Sequence, residues 1–246
     1  MNSYYTVALA LVITFVIGPS FDVRDQINKT VTLSSGAQVS VGGINGPVVI
    51  ETTEGESAQI NIEITASDQE ALAARPLVVE NTASSLTIRT PDGNKGWRDR
   101  GWVRHNVRLR LPRSINLTVN GVNGTVQAGE ITGTVALNGI NGTVRVEGAG
   151  SATSISGVNG RVTVGLARLG ENGMKVSGIN GGVELAFAGQ INAQIDVHGV
   201  NGGVNSEFPM TVVGEMKRGE LKGTIGSGGP RIEVSGINGG VALKRQ

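Results

Sequence analysis

The four-residue word Gly-apolar-Asn-Gly occurs seven times, starting at Gly43, Gly121, Gly139, Gly157, Gly178, Gly199 and Gly236. Every copy carries the same flanks, which restricts the fold more than any other feature of the chain. Two residues after each closing glycine stands valine: Val48, Val126, Val144, Val162, Val183, Val204 and Val241. Two residues before each opening glycine stands an apolar residue: Val41, Val119, Leu137, Ile155, Val176, Val197 and Val234. Period-two alternation on both sides means that a strand enters and a strand leaves each word. The word itself is the bend, since Asn and Gly tolerate positive φ where a β-branched residue does not. Stacked words would also let their Asn side chains hydrogen-bond from copy to copy.

Spacing separates two all-β folds. From Gly121 the words start 18, 18, 21, 21 and 37 residues apart, and the last gap holds a worn copy, "ELKGTI" (Glu220 to Ile225). A hairpin meander needs turn chemistry at each copy, but not one apolar register and a near-constant length. The expected fold is therefore all-β, a parallel β-solenoid (β-helix) with coils of 18–21 residues. Residues 121–246 form its regular repeats. Residues 21–120 form a less regular N-terminal cap in the same single domain.

That cap has its own signals. "AQINIEITAS" (Ala58 to Ser67) alternates as a strand, and "SDQEALAARP" (Ser67 to Pro76) carries a Ser-x-x-Glu capping box that ends at proline, giving one short helix. Strands follow at Leu77 to Glu80, Ser85 to Thr90, Asn106 to Leu111 and Ile115 to Val119.

Composition supports this picture and excludes others. Glycine supplies 38 of the 246 residues and aromatics only 3%, with 39% hydrophobic residues and a net charge of +1. That is neither a disordered profile nor, without Gly-x-y periodicity, a collagen. The chain has no cysteine, so disulfides, a thiol nucleophile and a lipoprotein attachment site are excluded. The N-terminal run from Tyr5 to Gly18, bounded by Pro19 and by small residues at Gly18 and Ser20, reads as a secretory segment over 1–20 with Phe21 as first mature residue. Export to the periplasm, cell envelope or exterior is the expectation, although the segment lacks Lys and Arg.

The repeated "GVNG" and "GINGGV" words resemble the bacterial "putative adhesin" repeat domains, otherwise classed as a domain of unknown function. So do "VRLRLPRSINLTVNGVNGTV" (Val107 to Val126) and the closing "GSGGPRIEVSGINGGVALK" (Gly226 to Lys244). The resemblance runs from about Gly36 to the C-terminus. It implies an exported or envelope-associated β-solenoid, and it brings no catalytic residues with it.

Motifs of catalysis and ligation are scarce. The slot between closing glycine and valine holds Pro47, Thr125, Thr143, Arg161, Gly182, Gly203 and Gly240, so the carboxylate of a calcium-binding β-roll is missing. The glycines lie between strands and not ahead of a helix, which excludes a phosphate loop. His105 and His198 sit in unrelated contexts, and His198 reads as an exposed polar rung. Glu130, Glu147, Glu184, Asp196 and Glu233 fall at scattered repeat offsets, so no spacing rule pairs two carboxylates for glycan chemistry. The expectation is a protein that is not an enzyme and that has no metal site and no cofactor.

One stretch stands apart: "PDGNKGWRDRGWVRHNVRLRLPR" (Pro91 to Arg113). Its candidate binding residues are Trp97, Arg98, Arg100, Trp102, Arg104, Arg108 and Arg110. Arg108 and Arg110 alternate with Val107, Leu109 and Leu111, so they share the outward face of a strand. Guanidinium groups pair bidentately with carboxylate or phosphate, and tryptophan stacks on sugars or seats at membrane interfaces. The partners expected are anionic envelope components, glycans or another envelope protein. A nearly neutral chain does not indicate dedicated nucleic-acid binding. The function read from the sequence is an adhesin-like surface interaction module. A polysaccharide-active β-helix enzyme and a structural envelope-stress accessory without a soluble ligand are the alternatives.

Overall fold

A computed structural model describes residues 22–91, 101–150, 153–166, 169–213 and 219–246. The expected secretory segment over 1–20 lies outside these residues. Strands β1 (Val23–Thr32), β2 (Gln38–Asn45), β3 (Val48–Thr53) and β4 (Ser57–Ala66) precede the helix α1 (Gln69–Ala74). Strands β5 (Val78–Asn81), β6 (Ser85–Arg89) and β7 (Val103–Pro112) follow it. The repeats then give β8 (Asn116–Asn123), β9 (Val126–Ile131), β10 (Val135–Ile140), β11 (Val144–Ala149), β12 (Thr153–Val158), β13 (Val162–Leu166), β14 (Met174–Ile179) and β15 (Val183–Phe187). The chain closes with β16 (Ala193–Val200), β17 (Val204–Ser206), β18 (Met210–Val212), β19 (Leu221–Ile225), β20 (Arg231–Ile237) and β21 (Val241–Arg245).

These strands make two sheets. Sheet I has ten strands in the order β1-β4-β7-β3-β9-β11-β13-β15-β21-β17. Sheet II has eleven, in the order β18-β19-β16-β20-β14-β12-β10-β8-β2-β6-β5. Every Gly-apolar-Asn-Gly word carries the chain from a strand of sheet II into one of sheet I. The apolar flanks align across the sheets as the repeat implies: Val48, Val126, Val144, Val162, Val183, Val241 and Val204 form one row in sheet I. All but the half-buried Val204 of that row are buried, and the buried apolar side chains form one core cluster between the sheets.

The all-β class and, among the described residues, one short helix are as expected, but the parallel β-solenoid is not. Both sheets are mixed. Antiparallel pairs β1–β4, β4–β7 and β5–β6 finish the N-terminal end, and β16–β19 and β18–β19 finish the other. The strand order also leaves the chain order. The last coil, β20 and β21, pairs with β14 and β15 on one side and with β16 and β17 on the other. A solenoid lays each coil on its predecessor; here the final coil sits between two earlier ones. The physical reason is that identical words present interchangeable edges, so spacing along the chain carries no information about stacking order. "ELKGTI" is likewise no worn coil, because its strand β19 runs antiparallel to β16.

The bend works differently from the sequence reading. No non-glycine residue has positive φ among the described residues; the opening glycine of all seven words does, with φ between 61° and 66°. The buried flanks Val41 and Ile44 are three residues apart, where simple alternation would put the inward residues two apart. The left-handed glycine between them resets the phase, as a glycine bulge does. Closing glycines have a steric role. A Cβ on Gly124 would lie 2.2 Å from the carbonyl oxygen of Gly46, and one on Gly160 would lie 2.2 Å from that of Gly142.

The asparagines form the ladder that stacked words allow. Asn123 donates to Asn45, Asn141 to Asn123, Asn159 to Asn141, Asn180 to Asn159, and Asn238 to Asn180, each at 2.9–3.0 Å. Asn201 completes it on Asn238 at 3.4 Å. The helix α1 is capped by Asp68, whose side chain accepts from the N–H of Ala71 at 2.7 Å. Ser67, the expected cap, instead donates its hydroxyl to Asp68.

Candidate functional site

The candidate residues divide along the strand β7. Trp97, Arg98 and Arg100 lie outside the described residues. Trp102, Arg104, Arg108 and Arg110 are described, and all four are exposed. Within β7 the inward positions Val103, His105, Val107, Leu109 and Leu111 are buried, which sends Arg104, Arg108 and Arg110 to the outer face of sheet I. Trp102 immediately precedes the strand, 46% exposed, with its backbone N–H donating to the Ser67 hydroxyl at 3.2 Å.

Sheet register brings further groups to this face that spacing did not suggest. Arg24 of β1 and Arg104 both oppose Thr65 of β4. Arg108 lies in a row that runs from Asn28 and Asn61 through Val49 and Gln127 to Arg145. Arg110 lies between Gln59 and Glu51. Among the described residues Arg24, Arg104, Arg108, Arg110 and Arg145 enter no ion pair, whereas Arg113 pairs with Glu54 at 2.9 Å and Lys244 with Glu184 at 2.8 Å. The acids that share the outer face include Glu51, Glu63, Glu147 and, two strands beyond Arg145 in its row, Glu184; Glu63 accepts from the Asn106 amide at 3.2 Å. The outcome is an amide-rich surface that carries five arginines outside any ion pair among the described residues.

Behind it, His105 is buried to 3% exposure. Its Nδ1 accepts the backbone N–H of Asn45 at 3.1 Å, and its Nε2 has no partner. Burial, with the Arg75 charge adding to it, pushes the imidazole pKa down to about 4. The ring is therefore neutral at physiological pH, and it joins the candidate strand to the first rung of the asparagine ladder.

Pairing of β20 with β16 brings together two carboxylates that the repeat offsets did not pair, Asp196 and Glu233. Lys175 pairs with Glu233 at 2.9 Å, and Asp196 has Arg231 at 3.8 Å and His198 at 3.7 Å. The Lys175 hydrogen bond holds the Glu233 carboxyl below the usual carboxylate range. A glycosidase pair needs one carboxyl that stays protonated. The Lys175 contact favours an ionised Glu233, and the ion pairs tie β20 to both its neighbours. An open depression of about 420 Å³ adjoins them, lined in part by Thr134, Ser154, Lys175, Arg231 and Glu233. Among the described residues no group of three or more His, Asp or Glu is placed to hold a metal ion, and no helix is long and apolar enough to cross a membrane.

No family model and no curated protein matches the chain. Solved structures give a looser likeness. A "putative cell adhesion protein" from Clostridium sporogenes is 16% identical with a TM-score of 0.44, over 90% of this chain and 100% of that one. A "putative adhesin" from Bacteroides fragilis is 12% identical with a TM-score of 0.30, over 90% and 97%. A "putative lipid binding protein" from Parabacteroides distasonis is 12% identical with a TM-score of 0.33, over 90% and 96%.

Proposed function

We propose that this chain is a non-catalytic, exported interaction module of adhesin type that binds anionic partners at the cell envelope through the outer face of sheet I. The observation that carries the reading is the set of five arginines exposed on that face without ion-pair partners among the described residues. An arginine left unpaired on a rigid sheet keeps its five-donor fork free for a planar oxyanion. A strand backbone fixed in a ten-stranded sheet presents those forks at set spacings, so little order has to be gained on binding. Trp102 adds an exposed ring at one end of the same strand.

The test is binding to isolated envelope fractions and to anionic vesicles across a salt series. An Arg104→Ala/Arg108→Ala/Arg110→Ala variant and a Trp102→Ala variant run alongside. Binding that weakens with salt and is lost in the triple variant supports the reading. Binding that neither salt nor the arginine substitutions change removes it.

A further inference from the structure

We propose that the arginine face of sheet I is a track for an extended acidic polysaccharide, a polyuronate-type glycan lying across the strands. The inference rests on the reading that this face binds anions, and it names the class of partner.

The cations on the N-terminal half of the face, Arg24, Arg104, Arg108, Arg110 and Arg145, are all arginines. A guanidinium holds a carboxylate through two parallel hydrogen bonds in one plane, whereas an ammonium acts as a point charge that suits a fluid, headgroup-covered surface equally well. Planar amides stand between the arginines. Asn61 donates to Asn28 at 2.7 Å in the same row as Arg108, Gln59 flanks Arg110, and Gln127 stands between Val49 and Arg145. Such amides donate to and accept from sugar hydroxyls.

Register supplies the direction. Along Asn61–Arg108–Val49–Gln127–Arg145 each step is one strand, or about 4.8 Å, comparable to the advance of one sugar ring. A chain laid along this row meets a polar group at nearly every step and two cations three strands apart, Arg108 and Arg145, before Thr163 and Glu184 close the cationic stretch. Trp102, exposed before β7, stands six residues along the strand from Arg108 and so lies off this row. A bilayer would favour apolar side chains that insert. Val212 and Val213, the other exposed large apolar residues among those described, belong to and follow β18 of sheet II, away from this face. Glu51, Glu63 and Glu147 interrupt the positive field and Glu184 ends it along the row, so the track selects for spaced carboxylates over a dense anionic surface.

Calorimetric titration of the purified full chain tests this with polygalacturonate fragments of increasing length. Galacturonate monomer, a neutral glucan and phosphatidylglycerol vesicles form the other arms, each at low and high salt. The expected result is affinity that rises with fragment length and then levels, no binding of monomer or glucan, and a loss of about tenfold or more in an Arg108→Gln/Arg145→Gln variant. Circular dichroism and the melting temperature of that variant, whose substitutions are on exposed side chains, confirm that the fold is kept. Polymer binding unchanged in the variant overturns the proposal. Arginine-dependent binding of vesicles without polymer binding overturns it too, while the anionic-partner reading stands. Binding of neither polymer nor vesicles by the parent chain overturns both.

Discussion

The backbone N–H of Asn45 donates to Nδ1 of His105 at 3.1 Å, so the proton of the neutral ring must be on Nε2, which is buried and unpartnered. Protonating the ring turns the Nδ1 acceptor into a donor aimed at another donor, and it places a charge in the core. The folded-state pKa of about 4 lies below the ordinary 6.5. Between these values the unfolded chain binds more protons than the folded one, so stability falls as pH falls. The contribution is fully present above about 6.5 and is lost toward 4, on the order of 3 kcal/mol in all. Urea midpoints measured from pH 7.5 to 4.5 should fall steeply in the parent and less in His105→Gln, whose amide oxygen can still accept from Asn45. Parallel curves would remove His105 as the cause.

The asparagine ladder gives a second expectation. Asn141 donates to Asn123 and accepts from Asn159 at 3.0 Å on each side. The side chains are exposed, so water replaces part of what is lost, and Asn141→Ala should cost about 0.5–1.5 kcal/mol. Asn141→Asp keeps the acceptor but loses the donor toward the Asn123 oxygen, so at neutral pH it should cost at least as much. Protonating the new carboxyl restores a donor. Relative to Asn141→Ala, the Asp variant should therefore recover stability as pH drops through the carboxylate range, read by thermal melting. A gap between the two variants that stays constant with pH would count against the ladder.

Opening and closing glycines of the word should respond to substitution in different ways. Gly139 has φ +62°, and a Cβ there would meet nothing nearer than 3.6 Å, so its requirement is conformational. Gly139→Ala should cost about 1–2 kcal/mol, and Gly139→Asn less, since Asn tolerates the left-handed region. Gly124 is the opposite case, because a Cβ would lie 2.2 Å from the Gly46 carbonyl oxygen. Gly124→Ala should cost about 1–3 kcal/mol through overpacking, and Asn should bring no relief. Denaturant midpoints of the four variants decide it; a rescue by Asn at Gly124 would show that the clash is misread.

Much of this was legible in the repeat. The flanking apolar rows, the strand on each side of the word and the asparagine ladder follow from alternation and from identical words in register. So did the outward arginines of β7, because Val107, Leu109 and Leu111 fix the inward face. Two things were not legible. The phase reset at the opening glycine was hidden because Asn and Gly both permit positive φ, and only the three-residue step from Val41 to Ile44 shows which residue adopts it. Stacking order was hidden for a deeper reason: the edge of one word fits the edge of any other. The meeting of Lys175 with Glu233 depends on that order, and the addition of Arg24 depends on the antiparallel pairing of β1 and β4, so neither could be read from spacing.

Stacking order is itself open to a direct test, since the chain has no cysteine and any introduced pair reports only on its own geometry. Ser177 of β14 pairs with Ser235 of β20, and Ser235 pairs with His198 of β16. Adjacent strands lie about 4.8 Å apart and strands two steps apart about 9.6 Å, while a disulfide needs Cα atoms within roughly 7 Å. Mild oxidation should therefore close Ser177→Cys/Ser235→Cys and Ser235→Cys/His198→Cys, and should leave Ser177→Cys/His198→Cys open. A stack in chain order reverses the last result, because it would bring residues 177 and 198 onto neighbouring strands. Free-thiol counts and non-reducing peptide mapping distinguish the two arrangements. Rapid closure of the 177–198 pair would mean that the final coil does not lie between its predecessors, and it would also separate Lys175 from Glu233.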